Sequence, residues 1–204
     1  EIIGPKVGAN RMIVSQASSA PVTDATITFG IVLARLKLHN ITTDATTDCN
    51  GVKLYGGGNT ILSCEIYDIA TDAIWFHGYN TKVSGCTIYD VAKDGRSAGD
   101  CIQCGAKSDG SIVRGNNLDH STVDIKQCIY FEQTVSVSDG VLIEDNYCVS
   151  HPGTGNGAGP IVCGATNSIV RRNYAEGGVV AIAIGGGGLR YSNIAVGPAR
   201  RGTD

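Results

Sequence analysis

Apolar and polar positions alternate in short stretches along most of the chain. In DAIWFHGYN at Asp72–Asn80, Ile74 and Phe76 fall on one side of an extended strand, and Trp75 and His77 on the other. Stretches of the same kind are NGVKLYGGGN at Asn50–Asn59, DCIQCGAKSD at Asp100–Asp109, QCIYFEQTVS at Gln127–Ser136, GPIVCGATN at Gly159–Asn167 and VAIAIGGGG at Val180–Gly188. Their aliphatic anchors are Val52, Ile74, Ile102, Ile129, Ile161 and Ile182, separated by 22, 28, 27, 32 and 21 residues. A second motif alternates with the first: TILSCEIYD at Thr60–Asp68, KVSGCTIYD at Lys82–Asp90, IVRGNNLDH at Ile112–His120, LIEDNYCVS at Leu142–Ser150 and IVRRNYAEG at Ile169–Gly177. RLKLHNITT at Arg35–Thr43 is an earlier, weaker copy. No window of about eleven residues carries a helical apolar period, so strands alone are predicted.

Two short strands per unit, in fixed order and at this spacing, predict an all-β chain wound into a β-solenoid. Coils stacked at the ~4.8 Å spacing of paired strands give about 7–8 turns and a rod roughly 35–40 Å tall. The expected layout is one domain over 1–204, with an irregular N-terminal coil at 1–24 and a tail at 197–204. A solenoid exposes unpaired backbone at its ends. The chain is therefore expected to be a fragment of a longer one or to be covered by other chains, as in a homotrimer.

Cys64, Cys86, Asn116, Asn146 and Asn173 occupy the same position in successive copies of the second motif. Together with the repeat, they make the chain resemble the right-handed parallel β-helix of the pectate-lyase-like superfamily, over about Thr26 to Val196. In that family such positions stack like residues in an inner turn. The resemblance implies binding or cleavage of polysaccharides, by lyases, epimerases, hydrolases or phage tailspikes, and a secreted or virion location. It carries over no catalytic residue. The Asp-Pro-His of the alginate epimerases is absent, as are the Asn-Thr-Asp, Asp-Asp and Gly-His-Gly set of polygalacturonases and the aspartate cluster of calcium-dependent lyases.

Composition narrows the field. Of 204 residues, 42% are hydrophobic and 17% charged, against roughly 25% charged in an average domain. Gly is abundant (28 residues) but has no three-residue period, which excludes collagen. The net charge of −3 offers no concentrated basic face for nucleic acid. No apolar run reaches the ~18 residues of a membrane span. Eight cysteines include Cys101 and Cys104 in a C-x-x-C spacing. On one strand those two point to opposite faces, so no metal, redox centre or cofactor is expected from them. Cys64 with Cys86, and Cys101 with Cys128, stack on neighbouring coils and are expected to form ladders of buried thiols.

The outward positions of the first motif supply the candidate chemistry. One column reads Lys53, Trp75, Gln103, Tyr130, Val162, Ala183; the other reads Tyr55, His77, Gly105, Glu132, Gly164, Gly185. Trp75, Tyr55 and Tyr130, with Gln103, form an expected platform for sugar rings. His77 and Glu132 stand two coils apart, ~9–10 Å, with open space expected over Gly105 between them. That suits an acid and a base on either side of a bound ring, close to the ~6.5–9.5 Å of inverting carboxylate pairs. With histidine as one partner, a lyase or epimerase fits better than a hydrolase. Lys53 is then the candidate cation for a uronate carboxylate. The linkers before each first-motif strand offer Asp94, Arg96, Asp124, Lys126 and His151 at the edge of this face. The stacked Asp68 and Asp90 are better explained by turn hydrogen bonding than by catalysis. Two readings stay open: an enzyme acting on an acidic polysaccharide, and a non-catalytic structural or adhesive module such as a tailspike shaft.

Overall fold

The computed structural model is an all-β, right-handed parallel β-helix. It describes residues 2–3, 11–15, 30–41, 49–92, 99–105, 107–121, 127–132, 138–150, 159–178, 180–185 and 187–197. Three parallel sheets run along the rod. The anchor sheet holds Arg11–Ser15, Asn50–Tyr55, Ile74–His77, Ile102–Cys104, Ile129–Phe131, Ile161–Cys163 and Ile182–Ile184. A second seven-stranded sheet holds Val32–Ala34, Thr60–Leu62, Lys82–Ser84, Ile112–Arg114, Leu142–Glu144, Ile169–Arg171 and Leu189–Tyr191. The eight-stranded sheet holds Ile2–Ile3, Lys37–Ile41, Glu65–Ile69, Thr87–Val91, Asn117–His120, Tyr147–Ser150, Tyr174–Glu176 and Ile194–Val196. Each coil visits the anchor sheet, the second sheet and the eight-stranded sheet in turn. The repeat read as two strands is therefore three: the second motif bends midway and feeds two sheets. Within 1–24, expected to be irregular, Ile2–Ile3 pairs with Leu38–His39, and Arg11–Ser15 pairs along Asn50–Leu54.

The six anchors align vertically, Val52, Ile74, Ile102, Ile129, Ile161 and Ile182 being partners in register, and all are buried. The next inward column is Leu54, Phe76, Cys104, Phe131, Cys163 and Ile184. Cys104 separates two aromatic neighbours, and its small side chain lets Phe76 and Phe131 meet edge to face at 6.3 Å. Leu38, Ile66, Ile88, Leu118, Cys148 and Ala175 form the matching column of the eight-stranded sheet. Burial of each of these aliphatic side chains contributes roughly 1.5–3 kcal/mol.

The bend inside the second motif has one recurring form. Arg35, Ser63, Gly85, Gly115, Asp145, Arg172 and Ser192 all have φ between 51° and 65°. Each is followed by the ladder position: Leu36, Cys64, Cys86, Asn116, Asn146, Asn173, Asn193. One left-handed residue turns the chain, and the next side chain points inward to hold the turn above or below it. Asn116 Nδ2 donates to Asn146 Oδ1 at 2.9 Å, Asn146 Nδ2 to Asn173 Oδ1 at 2.9 Å, and Asn173 Nδ2 to Asn193 Oδ1 at 3.0 Å. The Oδ1 atoms of Asn116, Asn146, Asn173 and Asn193 accept, in that order, the backbone N–H groups of Cys86, Asn116, Asn146 and Asn173 on the preceding rung, at 2.9–3.1 Å.

All eight cysteines are buried and unpaired as disulfides. The expectation that Cys101 and Cys104 face opposite sides is corrected. The strand begins at Ile102, and Cys101 sits in the corner before it. Its thiol also turns inward, beside Cys128. Asp68 and Asp90 lie at left-handed φ of 54° and 51°, in line with Asn40 at 65°. A short side chain that tolerates this backbone accounts for them.

Candidate functional site

The anchor sheet carries the predicted columns on its outer side. Lys53, Trp75, Gln103, Tyr130, Val162 and Ala183 are partners in register, as are Tyr55 and His77. Alternation places these side chains outward because the anchors on either side of them point in. Trp75, Tyr55, His77, Gln103, Tyr130 and Glu132 are all half-buried.

At one end of the face four of these residues form a cluster. The Tyr55 and Trp75 rings are 5.1 Å apart, Tyr55 and His77 6.5 Å, and Trp75 and His77 6.0 Å. Lys53 Nζ lies over the Trp75 ring, 4.6 Å from its centre. Lys53 is itself only 7% exposed, so its ammonium rests against the indole and does not stand out into solvent. At the other end Gln103 Nε2 donates to Glu132 Oε1 at 3.2 Å, next to Tyr130.

The space expected over Gly105 is not open. A Cβ placed there would stand 3.1 Å from Trp75 Cζ2 and 3.3 Å from His77 Nδ1. The glycine instead lets the indole and imidazole lean over the backbone of the next coil. The His77 imidazole and the Trp75 indole edge thus take up the space expected to lie open between His77 and Glu132.

Burial lowers the His77 pKa from its usual value, the Lys107 ammonium lowers it further, and Glu132 opposes both. The imidazole is neutral at pH 7 and able to accept a proton. Burial is also the main cause raising the Tyr130 phenol, followed by the charges of Glu132 and Asp100. Lys107 was not singled out by sequence reasoning. It follows column position Gly105 by two residues, in a turn with left-handed φ of 60°. That offset from the column was the available signal.

Asp94, Arg96, Asp124, Lys126 and His151 lie outside the described residues. Among the described residues no group of three or more His, Cys, Asp or Glu is arranged to hold a metal ion. Among them, too, no helix is long and apolar enough to cross a membrane.

The fold and face define a class: a parallel β-helix with an aromatic, cationic and imidazole-bearing outer sheet. Comparison with family models, with curated proteins and with solved structures found no match, so the class rests on the molecule's own geometry.

Proposed function

We propose that this protein is a polysaccharide-binding β-helix of the pectate-lyase-like kind. It engages an acidic polysaccharide along the outer face of the anchor sheet, with lyase-like or depolymerase action there. The observation that carries the reading is the Tyr55–Trp75–His77 cluster, backed by the Lys53 ammonium, on a rigid sheet. Aromatic faces stack on sugar rings, and the exposed Lys107, near enough to His77 to act on its charge, would meet a uronate carboxylate, with Lys53 held against the indole. A neutral His77 supplies the base for β-elimination. The C5–H bond breaks as the proton moves to the imidazole. Its electrons form the C4=C5 double bond while the C4–O bond breaks, and the departing oxygen takes up a proton. Glu132, held by Gln103, stands further along the same column as a second proton-transfer group.

Trp75 is the single tryptophan, so its fluorescence reports on this face alone. Titration with polygalacturonate and alginate is expected to change that emission, and His77→Ala to abolish growth of ultraviolet absorbance from the unsaturated product. Unchanged emission with every uronate polymer would end the binding reading. Binding without new absorbance would remove the lyase step.

A second reading is a non-catalytic shaft or adhesive module, assembled as a homotrimer in the manner of a tailspike. It draws on the three parallel sheets, which stack the coils into one continuous rod. Light scattering decides it: a trimer supports the shaft, a monomer does not.

A further inference from the structure

A different face carries a second arrangement. On the eight-stranded sheet His39, Tyr67 and Tyr89 stack as successive rungs, with ring centres 4.7 and 4.9 Å apart and planes within 3°. Two residues nearer the start of the strands, Tyr147 and Tyr174 stack at 4.8 Å. Both ladders stop at the same coil. The partner in register after Tyr89 is Asp119, and the partner before Tyr147 is Asn117. Asn117 and Asp119 are short and exposed, so the coil between the ladders is a trough. The last ring of each ladder, Tyr89 and Tyr147, lines it. The trough encloses about 450 Å³, with Glu176 at its far side. That volume is within the roughly 300–1,000 Å³ of small-ligand sites.

The lining selects the ligand. Its charged groups are the carboxylates of Asp119 and Glu176, and among the described residues no cation lines it. Lys37, the nearest cation of this sheet by register, is committed to Glu65 at 3.4 Å, far up the Tyr ladder. An anionic sugar would meet repulsion here. Carboxylates and the Asn117 amide accept and donate to hydroxyls, while ring faces stack on the C–H face of a pyranose. Tyr89 and Tyr147 stand two coils apart, ~9–10 Å along the rod, and two residues, ~6.5 Å, apart along the strands. Their rings are therefore offset and do not face each other, so they form no cage around a single ammonium. Successive rings of a linear glycan can instead lie against the two in turn.

We propose that this trough is a binding site for an uncharged, hydroxyl-rich glycan, with Tyr89 and Tyr147 as its stacking walls and Asp119 as its hydroxyl acceptor. It is separate from the uronate face and shares no residue with it.

The test is calorimetric titration of the intact chain with linear gluco-, xylo- and manno-oligosaccharides. At least one should bind. Tyr147→Ala and, independently, Asp119→Ala should weaken it about tenfold or more, the loss of one stacked ring or one charged hydrogen bond. Both side chains are exposed, so circular dichroism should show each variant folded. Trp75→Ala should leave the affinity unchanged. The proposal is overturned if no member of the three series binds, or if binding survives both trough variants. It is equally overturned if Trp75→Ala abolishes binding, because the glycan then belongs to the anchor face. Loss of uronate binding would leave this result untouched, so the two proposals fail separately.

Discussion

Replacing Asn146 by alanine tests what holds the coils in register. Asn146 Oδ1 accepts from Asn116 N at 3.1 Å and Asn116 Nδ2 at 2.9 Å; its Nδ2 donates to Val113 O at 3.0 Å and Asn173 Oδ1 at 2.9 Å. Truncation strips these partners inside the rod, where Asn146 is 2% exposed. Asn116 Nδ2 keeps Val83 O, and Asn173 Oδ1 keeps the Asn146 backbone N–H. The groups left without these bonds are the Asn116 backbone N–H and the side-chain contact to Val113 O. At roughly 1–3 kcal/mol for each of these two buried groups, the expected loss is about 2–6 kcal/mol. Urea unfolding followed by circular dichroism measures it. An unchanged slope against urea shows that the whole rod still unfolds together.

Asn146→Asp sharpens the test because it keeps the acceptor and removes the donor. Its carboxylate would face Val113 O and Asn173 Oδ1 without a hydrogen to offer. The folded-state pKa of that aspartate would therefore rise above the unfolded value of about 3.9. The penalty is then complete above the folded pKa. It fades as pH falls through that value and vanishes below the unfolded one. A loss under about 0.5 kcal/mol in the alanine variant, with unchanged hydrogen exchange at the Asn116 amide, would refute the ladder as a source of stability.

Three further outcomes follow from local geometry. Gly115 sits at φ 63° with open space around a would-be Cβ, so Gly115→Ala should cost about 1–2 kcal/mol from backbone strain alone, while Ser63→Gly at φ 51° should be neutral or stabilising by up to about 1 kcal/mol, both read by thermal unfolding. His77 has a folded pKa below its unfolded value, so stability should be full above about pH 6.5 and fall as pH drops from there through the folded pKa; His77→Gln should flatten that slope. Gly105→Ala should push against Trp75 and His77, shifting the Trp75 emission and weakening any ligand of the anchor face while the trough on the eight-stranded sheet keeps its affinity.

The anchor columns were legible because they obey a strict two-residue period between turn signals. Six aliphatic residues and their neighbours fixed the register that the structure shows, and Trp75 outward followed from Ile74 and Phe76 inward. The bend in the second motif was not legible. Ser63, Asp145 and Arg172 take a left-handed backbone that glycine takes at Gly85 and Gly115, and side-chain identity at the first three gives little sign of it. The filled space over Gly105 was missed for a related reason. Absence of a side chain marks room, but which neighbour takes that room depends on side-chain torsions. The trough on the eight-stranded sheet escaped because its signal is a break in two ladders. Asp119 and Asn117 matter only once Tyr89 and Tyr147 are known to be their neighbours in register.

The two decorated faces differ in charge and in position along the rod, and this predicts how ligands share the molecule. On the anchor sheet polar and aromatic residues run from Lys53 to Glu132 and give way to Val162, Gly164, Ala183 and Gly185. On the eight-stranded sheet the trough lies between Tyr89 and Glu176, further toward the last coil. The sheets point in different directions, so one stiff glycan cannot cover both. A uronate polymer would favour the side with Lys53 and Lys107, and an uncharged glycan the side with Asp119 and Glu176. Saturating the protein with polygalacturonate should therefore leave the calorimetric affinity for a neutral oligosaccharide within about twofold, a difference of roughly 0.4 kcal/mol. Competition between the two would place both ligands on one surface and remove the charge argument that separates them.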